Sequence, residues 1–482
     1  MSYHNFCKAE PVINLELLIN AVWDNDMDAV NHELSRVNID VNQVDNIGRT
    51  PLYVACKKNR GNIVQLLLAH PNIDVNQAAN NGWTPLLAAC QQNHEDVVQL
   101  LLAQPGIQIN KAANDGVTPL YVACWNDHRE VVNALLAHPN IDVNQADDVG
   151  WAPLYMACMQ NHEETVRLLL AHPNIQINQA ANNGWTPLLA ACQQNHEDVV
   201  RLLLAQPGIL INQAANDGTT PLYVACRQNH EETVRLLLAH PNIQINQANE
   251  SGFTPLFTTS LKGHVEVVRL LLAKDDIDVN QADDVGATPL YITCNYGHVE
   301  VVRLLLARKD ILINQADKYG RTPLLIACQM GRADIVQVLL ARKDIQINQA
   351  NEYGGTPLYV ACRYGHVDVV RLLLARKDIQ INQASESGIT PLWRACANGH
   401  VDIVRLLLAM PGIQINQAAN DGTTPLYIAC KRANADLVEL LLAQPGIQIN
   451  QAANDGTTPL QVAQENSFTK IVRFLIISLN AA

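Results

Sequence analysis

Aromatic residues and positive charge are both scarce in this chain of 482 residues. Phe, Trp and Tyr make up 5% of the sequence, and 33 Lys and Arg stand against 46 Asp and Glu, for a formal net charge of −13. An acidic chain of this kind lacks the broad electrostatic footprint that binds nucleic acid or an anionic membrane surface. We therefore expect neither nucleic acid nor a membrane among its partners.

A leader segment, a long apolar run and catalytic motifs are missing as well. The opening residues contain no apolar core of a secretion signal, and the apolar stretch 474–479 is too short to span a bilayer. The sequence has no Gly-x-Ser-x-Gly elbow, no phosphate-binding glycine loop and no dinucleotide fingerprint. We expect a soluble, non-secreted protein that is not an enzyme and uses no cofactor and no small-molecule substrate.

A repeat of 34 residues dominates what is present. Each of its thirteen copies has a proline, a glycine three residues before it and an asparagine nine residues before it. Uninterrupted self-similarity of this length predicts a stacked repeat array. The prolines stand at 51, 85, 119, 153, 187, 221, 255, 289, 323, 357, 391, 425 and 459.

Each copy predicts two short helices. Thr precedes the proline everywhere except at Ala152, so Thr-Pro is typical of an N-cap followed by the first helical residue. That helix, for example 221–228, ends at a position that is mostly Asn, Asp or Gly, the residues that tolerate left-handed backbone. A second helix, for example 231–239, ends in His-Pro-Asn, Gln-Pro-Gly or Arg-Lys-Asp. The third residue of this ending is again predicted to be left-handed.

Asn-Asn-Gly-Trp-Thr-Pro-Leu (80–86) and Gly-His-Val-Glu-Val-Val-Arg-Leu-Leu-Leu-Ala (297–307) resemble the ankyrin repeat, and the resemblance extends over roughly residues 40–478. It implies an all-α repeat solenoid of stacked helix-turn-helix units with β-hairpin-like loops, curved into a superhelical array that binds other proteins. Two features depart from the family: its usual period is 33, and its Thr-Pro-Leu-His is here Thr-Pro-Leu-Tyr or Thr-Pro-Leu-Leu.

The organisation follows from the period. We expect an N-terminal extension at 1–11, an N-terminal capping helix pair at 12–41, twelve repeats at 42–458 and a C-terminal capping repeat at 459–482. A capped array of this kind is expected to be a monomer.

Eleven of the twelve cysteines occupy one column, five residues after the proline. Stacked units repeat at about 10 Å, whereas the Cα atoms of a disulfide lie within about 7 Å, so neighbours in the column cannot pair. Small buried thiols indicate a reducing compartment, the cytoplasm or alternatively the nucleus. Nine histidines lie four residues after this column, mostly as Cys-x3-His, but one unit offers no second ligand pair, so we expect no metal site.

Charged and asparagine columns also repeat with the period. Acidic residues and arginines three positions apart on the second helix predict a self-neutralised, solvated face. The Arg-Lys-Asp loops at 308–310, 342–344 and 376–378 form a basic strip, a weaker candidate site. The asparagine column has two interpretations: it satisfies turn backbone groups, or, as the resemblance implies, it is the substrate of an asparaginyl hydroxylase at Asn42, Asn76, Asn144 and Asn280.

Function is expected where the repeats differ. In the family the concave face is built from loop tips and first helices, which correspond to positions five, four and two before the proline and six and seven after it. Nine aromatic residues lie at such variable positions and nine more lie two residues after the proline, which we interpret as one aromatic strip. The predicted partner-binding residues are Trp83, Trp125, Trp151, Trp185, Arg227, Phe253, Tyr296, Tyr319, Arg321, Tyr353, Arg363, Tyr364 and Trp393.

Three interpretations of the variation stay open. The array is a scaffold that binds a partner segment, or a structural spacer whose tip aromatics only stack on neighbouring loops, or a hydroxylase substrate. One copy also stands apart, because Phe257-Thr258-Thr259-Ser260 replaces the usual Tyr-Val-Ala-Cys. Since solenoid stability is a sum of local and nearest-neighbour terms, we predict a weak joint near 255–265.

Overall fold

The computed structural model describes residues 17–481, and the chain divides into two compact units, residues 1–244 and 245–482. The predicted N-terminal extension (1–11) and the first five residues of the predicted cap (12–16) lie outside the described residues. Between residues 17 and 481 every regular element is a helix, and the loops contain turns but no strand. The predicted all-α repeat of paired helices is confirmed.

The first unit stacks seven helix pairs. Within it, each first helix of a repeat packs on the first helix of the next, and second helices pack on second helices. The helices are α1 (Leu17–Asp24), α2 (Met27–Leu34), α3 (Pro51–Lys57), α4 (Gly61–Leu68), α5 (Pro85–Gln91), α6 (Glu95–Leu102), α7 (Pro119–Trp125), α8 (Arg129–Leu136), α9 (Pro153–Met159), α10 (Glu163–Leu170), α11 (Pro187–Gln194), α12 (Glu197–Leu204), α13 (Pro221–Arg227) and α14 (Glu231–Leu238).

The second unit repeats the arrangement with seven further pairs and ends in a longer helix. Its helices are α15 (Pro255–Lys262), α16 (Val265–Leu272), α17 (Pro289–Tyr296), α18 (Val299–Leu306), α19 (Pro323–Gln329), α20 (Ala333–Leu340), α21 (Pro357–Tyr364), α22 (Val367–Leu374), α23 (Pro391–Asn398), α24 (Val401–Leu408), α25 (Pro425–Lys431), α26 (Ala435–Leu442), α27 (Pro459–Glu465) and α28 (Thr469–Ala481). No helix within residues 17–481 has the length and apolar content needed to cross a bilayer.

Each first helix of a repeat starts as the Thr-Pro pattern predicts. The threonine hydroxyl accepts a hydrogen bond from the backbone N–H three residues on, for example Tyr53 N to Thr50 Oγ1 at 3.1 Å, and the proline occupies the first turn. Ala152 has the same extended backbone, with φ −82° and ψ 162°, but supplies no cap bond to α9. The helix therefore forms there without the contribution that a side-chain cap makes elsewhere.

The position eight residues after the proline is left-handed in all thirteen copies. Its φ lies between +56° and +92° and reverses the chain between the two helices of a repeat. Eleven copies place Asn, Asp or Gly there, as the sequence predicts. Ala433 (φ +58°) and Ser467 (φ +58°) adopt the same conformation. The fold thus imposes the left-handed turn even where the residue type does not favour it.

The loop after the second helix corrects the sequence-based prediction of a left-handed residue. Where the third loop residue is glycine, φ is +80° to +84°. The eight loops with Asn or Asp do not have a positive φ at this position. A side-chain contact holds seven of these loops instead: Asn72 N–H donates to His70 Nδ1 at 3.3 Å, and Arg308 donates twice to Asp310, at 3.0 and 2.9 Å. Among the repeats only the glycine loops are left-handed here, whereas the equivalent Asn38 of the N-terminal capping pair has φ +68°.

The core of each unit is a set of columns shared by successive repeats. In α3, Leu52, Ala55 and Cys56 are fully buried, and in α4 the same holds for Val64 and Leu67. Corresponding residues of the later repeats are buried in the same way. Because these columns fill the space between helix pairs, the variable residues are left on the loop tips and on the ends of the first helices.

Candidate interaction surface

The face formed by loop tips and first helices carries an aromatic cluster in the first unit. Here a loop tip means the residues five to two positions before a repeat's proline. Trp151 stacks on Tyr155 with ring centroids 5.8 Å apart and planes 7° apart. Trp185 and Met159 pack against the same cluster, half-buried. The Trp151 backbone N–H is fixed at 2.8 Å on Asp147 Oδ1, so the tip that presents this indole is rigidly held.

The remaining predicted residues of the first unit differ in accessibility. Trp83 is half-buried at its tip, and Arg227, at the end of α13, is exposed. Trp125, at the end of α7, is 45% exposed and meets Tyr121 edge-on, with centroids 5.9 Å apart. Of the four tryptophans predicted in this unit, Trp125 therefore presents the largest fraction of its surface to solvent.

Tyrosines make up the corresponding surface of the second unit. Tyr319 and Tyr353 stand at successive loop tips and are 48% and 66% exposed. Tyr296 and Tyr364 end α17 and α21 and are 53% and 47% exposed. Phe253 differs from these four, because it is half-buried and stacks on Phe257 with centroids 4.7 Å apart. The four tyrosines form the exposed aromatic part of this unit's face.

Two predicted arginines hold tyrosine rings in place. The Arg321 guanidinium lies 5.0 Å from the Tyr319 ring centroid and forms an ion pair of 2.6 Å with Asp317, whose side chain is fully buried. Arg363 lies over Tyr364 at 5.5 Å. Cation–π contacts of this kind order both side chains. The charge of Arg321 is already balanced within its own tip, whereas no carboxylate of residues 17–481 forms an ion pair with the Arg363 guanidinium.

The aromatic residues two positions after the proline are buried, which corrects their assignment to the surface. All nine are at most 9% exposed, and Tyr121 and Phe257 are 1% exposed. Trp393, predicted to bind a partner, belongs to this column, and its Nε1 donates to Thr423 O at 3.2 Å and Thr423 Oγ1 at 3.1 Å. The position faces the neighbouring first helices, so these rings build the core instead of one continuous strip with the tips.

Arg394 is the residue of this face that the sequence reasoning missed. It lies in α23 three positions after the proline, where the other copies carry Val, Ala, Met, Ile or Thr. Its Nε donates to the Tyr359 hydroxyl at 2.9 Å, and its guanidinium lies 5.2 Å from the Tyr359 ring centroid. A charged residue in an otherwise uncharged column was the available signal. Met330, 42% exposed at the end of α19, was also absent from the predicted set.

The asparagine column bonds each repeat to the next. In twelve copies the side-chain amide donates to a carbonyl 30 residues ahead and accepts from an N–H 32 residues ahead, for example Asn42 to Asn72 O at 2.7 Å and from Asp74 N at 2.8 Å. This agrees with the interpretation that the column satisfies backbone groups. The four predicted hydroxylation positions, Asn42, Asn76, Asn144 and Asn280, all make both bonds.

The histidine and cysteine columns are built into the scaffold in the same way. His94 Nε2 lies 3.2 Å from Lys57 O at the end of the preceding first helix, and five further histidines make the equivalent contact. His162 and His230 instead place Nδ1 at 2.9 and 3.0 Å from the carbonyl oxygens of Cys124 and Cys192. The eleven column cysteines are free and buried, and burial raises the pKa of each thiol, that of Cys430 to about 12. Within residues 17–481 no three His, Cys, Asp or Glu side chains are grouped to hold a metal ion.

The Arg-Lys-Asp loops do not form the free basic strip that the sequence indicated. In each loop the arginine makes a two-point contact with its own aspartate, as between Arg342 and Asp344 at 3.0 and 2.9 Å. It also donates to the last turn of the preceding second helix, as from Arg342 Nη1 to Leu306 O at 2.8 Å. Arg308 and Arg376 repeat both contacts. These arginines hold neighbouring loops together, and their charge is neutralised locally.

Family models of the ankyrin repeat match the chain over most of its length. A model of three consecutive ankyrin repeats matches residues 18–113, 140–215, 209–283, 275–351, 344–419 and 411–482, and a model of the single ankyrin repeat matches residues 115–148. No curated protein matches the sequence.

Proposed function

The chain belongs to the ankyrin-repeat family, and from that premise we propose that it is a protein-interaction scaffold that binds a partner segment on its first-helix and loop-tip face. Ankyrin repeats generally mediate protein–protein interaction. What is specific to this chain is the choice of face and residues. In the family this face is the concave one, and the partner is another protein or a peptide segment.

The observation that carries the proposal is the exposure of aromatic side chains on a face whose other aromatics are buried. Tyr296, Tyr319, Tyr353 and Tyr364 are each about half exposed or more, although nine rings two positions after the proline are almost inaccessible. Tyrosine, tryptophan and arginine dominate binding hot spots because they contribute a large contact area with little loss of conformational freedom. Packing within the array does not account for four tyrosine rings that are about half exposed or more.

Stacking between tips and first helices explains part of the aromatic content without a partner. Trp151 on Tyr155 and Phe253 on Phe257 are such pairs, each with nearly parallel rings. This alternative, in which the array is a structural spacer, accounts less well for Tyr353, which is 66% exposed. The tyrosine surface of the second unit therefore supports the binding function better than the tryptophan cluster of the first.

The test replaces three tyrosines and compares partner capture. The triple variant Tyr319→Ala, Tyr353→Ala, Tyr364→Ala removes exposed rings without touching a buried column, and Leu312→Ala, at a 57% exposed residue in the loop after α18, is the matched control. Proteins crosslinked to the wild-type chain in a cell extract are identified by mass spectrometry. We expect the triple variant to lose specific partners about tenfold or more and the control to keep them. Equal recovery by both variants favours the spacer function.

A further inference from the structure

Four cations lie on or directly after the first helices of three successive repeats in the second unit, and these helices pack on one another. Arg363 is in α21, Arg394 is in α23, Lys431 ends α25 and Arg432 follows it. We propose that these four residues, the cationic strip, bind carboxylates of an extended acidic segment of a partner protein. The inference rests on the proposed function and adds to it the chemistry of the partner.

The cationic strip lacks internal counter-ions. No carboxylate of the described residues forms an ion pair with any of its four members, whereas Arg321 and Arg376 of the same unit pair with Asp317 at 2.6 Å and Asp378 at 2.8 Å. The positions three, six and seven residues after the proline hold no acid in these three repeats. Asp455, in the loop before α27, is a carboxylate that Lys431 influences, but in the described part of the chain it forms no ion pair with it. In a chain with a net charge of −13, four cations without an ion-paired carboxylate are a candidate site for an external anion.

Aromatic neighbours position the cations without neutralising them. Arg394 lies 5.2 Å from the Tyr359 ring centroid and 5.4 Å from that of Trp393, and both Nε and Nη2 donate to the Tyr359 hydroxyl. Lys431 lies 5.9 Å from the Tyr427 ring centroid. A guanidinium has five N–H donors in a planar fork, so Arg394 keeps donors for a carboxylate. Because these contacts already restrict the Arg394 and Lys431 side chains, less conformational entropy is lost when a ligand binds.

Spacing favours a peptide with separated acids. Neighbouring repeats lie about 10 Å apart, and an extended peptide advances about 3.3 Å per residue. Carboxylates at roughly every third residue of the segment thus meet successive members of the cationic strip. A nucleic-acid strand, with one charge per about 3.4 Å, carries about three phosphates over the length of one repeat, more than the four cations of three repeats can pair. The chemistry therefore fits an acidic peptide better.

The experiment selects ligands from a displayed library of random peptides of about 12 residues, long enough to cross three repeats. The test variant is Arg363→Glu, Lys431→Glu, Arg432→Glu, three exposed positions, with Arg394 left in its contact with Tyr359. The control reverses Arg303, Arg371 and Arg405, which are exposed on the second helices of the same unit. Circular dichroism checks that both variants fold.

We expect peptides selected on the wild-type chain and the control to be rich in Asp and Glu at roughly every third position. The best of them, made synthetically, is expected to bind the test variant at least about tenfold more weakly and to weaken with added salt. Selected peptides without an acidic excess overturn the inference. An equal loss of peptide affinity in the control variant overturns it as well. An oligonucleotide of equal charge that outcompetes the peptides overturns it too.

A different experimental result refutes the proposed function than refutes the acidic partner. If the selected peptides lack acids but lose binding when Tyr319, Tyr353 and Tyr364 become alanine, the tyrosine face is a binding surface and only the acidic partner is wrong. If no peptide is enriched and those alanine changes leave crosslinked partners unchanged, both the face and its chemistry are refuted.

Discussion

Replacing Ser260 by cysteine should stabilise the second unit. Ser260 occupies the column that holds cysteine in eleven other repeats, it is fully buried in α15, and its hydroxyl has no hydrogen-bond partner among the described residues. A buried hydroxyl left unpaired costs about 1–3 kcal/mol, whereas a thiol behaves as a small apolar group. Ser260→Cys is expected to raise local stability by about 1–2 kcal/mol, since the same column accepts cysteine elsewhere.

Native-state hydrogen exchange of α15 measures this effect where it arises. The weak joint that the sequence predicts near residues 255–265 contains α15. In the wild-type chain we therefore expect the amides of α15 to exchange faster than those of α19. In Ser260→Cys, kept reduced, their exchange should slow about 5- to 30-fold. Thr259→Ala is the control, because the Thr259 hydroxyl already donates to Pro255 O and Leu256 O at 3.0 Å and its removal brings no gain. Equal protection of α15 and α19 in the wild type, or no change in Ser260→Cys, refutes the reasoning.

Three further predictions concern single positions of the repeat. Ala152→Thr should add the missing cap of α9 and stabilise the first unit by about 1 kcal/mol, seen as a higher urea midpoint; a lower midpoint contradicts it. Ala433→Gly should stabilise the second unit by about 1 kcal/mol, because Ala433 is held at φ +58°; an unchanged thermal transition argues against strain there. In a Cys7→Ser variant, the eleven buried column thiols, whose pKa is raised by burial, should not react with a thiol reagent at pH 8 before unfolding, and rapid labelling of any of them is the contrary result.

The sequence predicts those structural features that the residues of a single repeat determine. Thr-Pro caps, the left-handed turn between helices and the apolar columns follow from residue types at fixed spacing, and all three are confirmed. The sequence does not show what the next repeat covers. Tyr121 and Trp393 have the sequence context of surface aromatics, yet they are buried, Tyr121 in a cluster with Tyr155 of the next first helix and Trp393 with its Nε1 bonded to Thr423 in the next loop. The loop residue Asn72 was expected to be left-handed, but contacts with His70 and with Asn42 of the adjacent loop hold it otherwise. The errors at Tyr121 and Trp393 concern contacts with the next repeat, and the error at Asn72 combines a contact within its own loop with one from the adjacent loop.

A departure from the repeat is therefore informative only when its surroundings are known. Ser260 and Arg394 both place a polar residue where most other copies carry a less polar one, on first helices of the same unit. Ser260 is fully buried and its hydroxyl has no hydrogen-bond partner among the described residues. A serine at this position therefore lowers stability and is not accessible to a ligand. Arg394 is half-buried and bonded to the Tyr359 hydroxyl, and its guanidinium keeps donors for a further partner. The two departures look alike in the sequence, and accessibility separates the structural defect from the residue proposed to bind. By the same criterion, the exposed tyrosines and the cationic strip are the variable features of this chain on which selection for a partner can act.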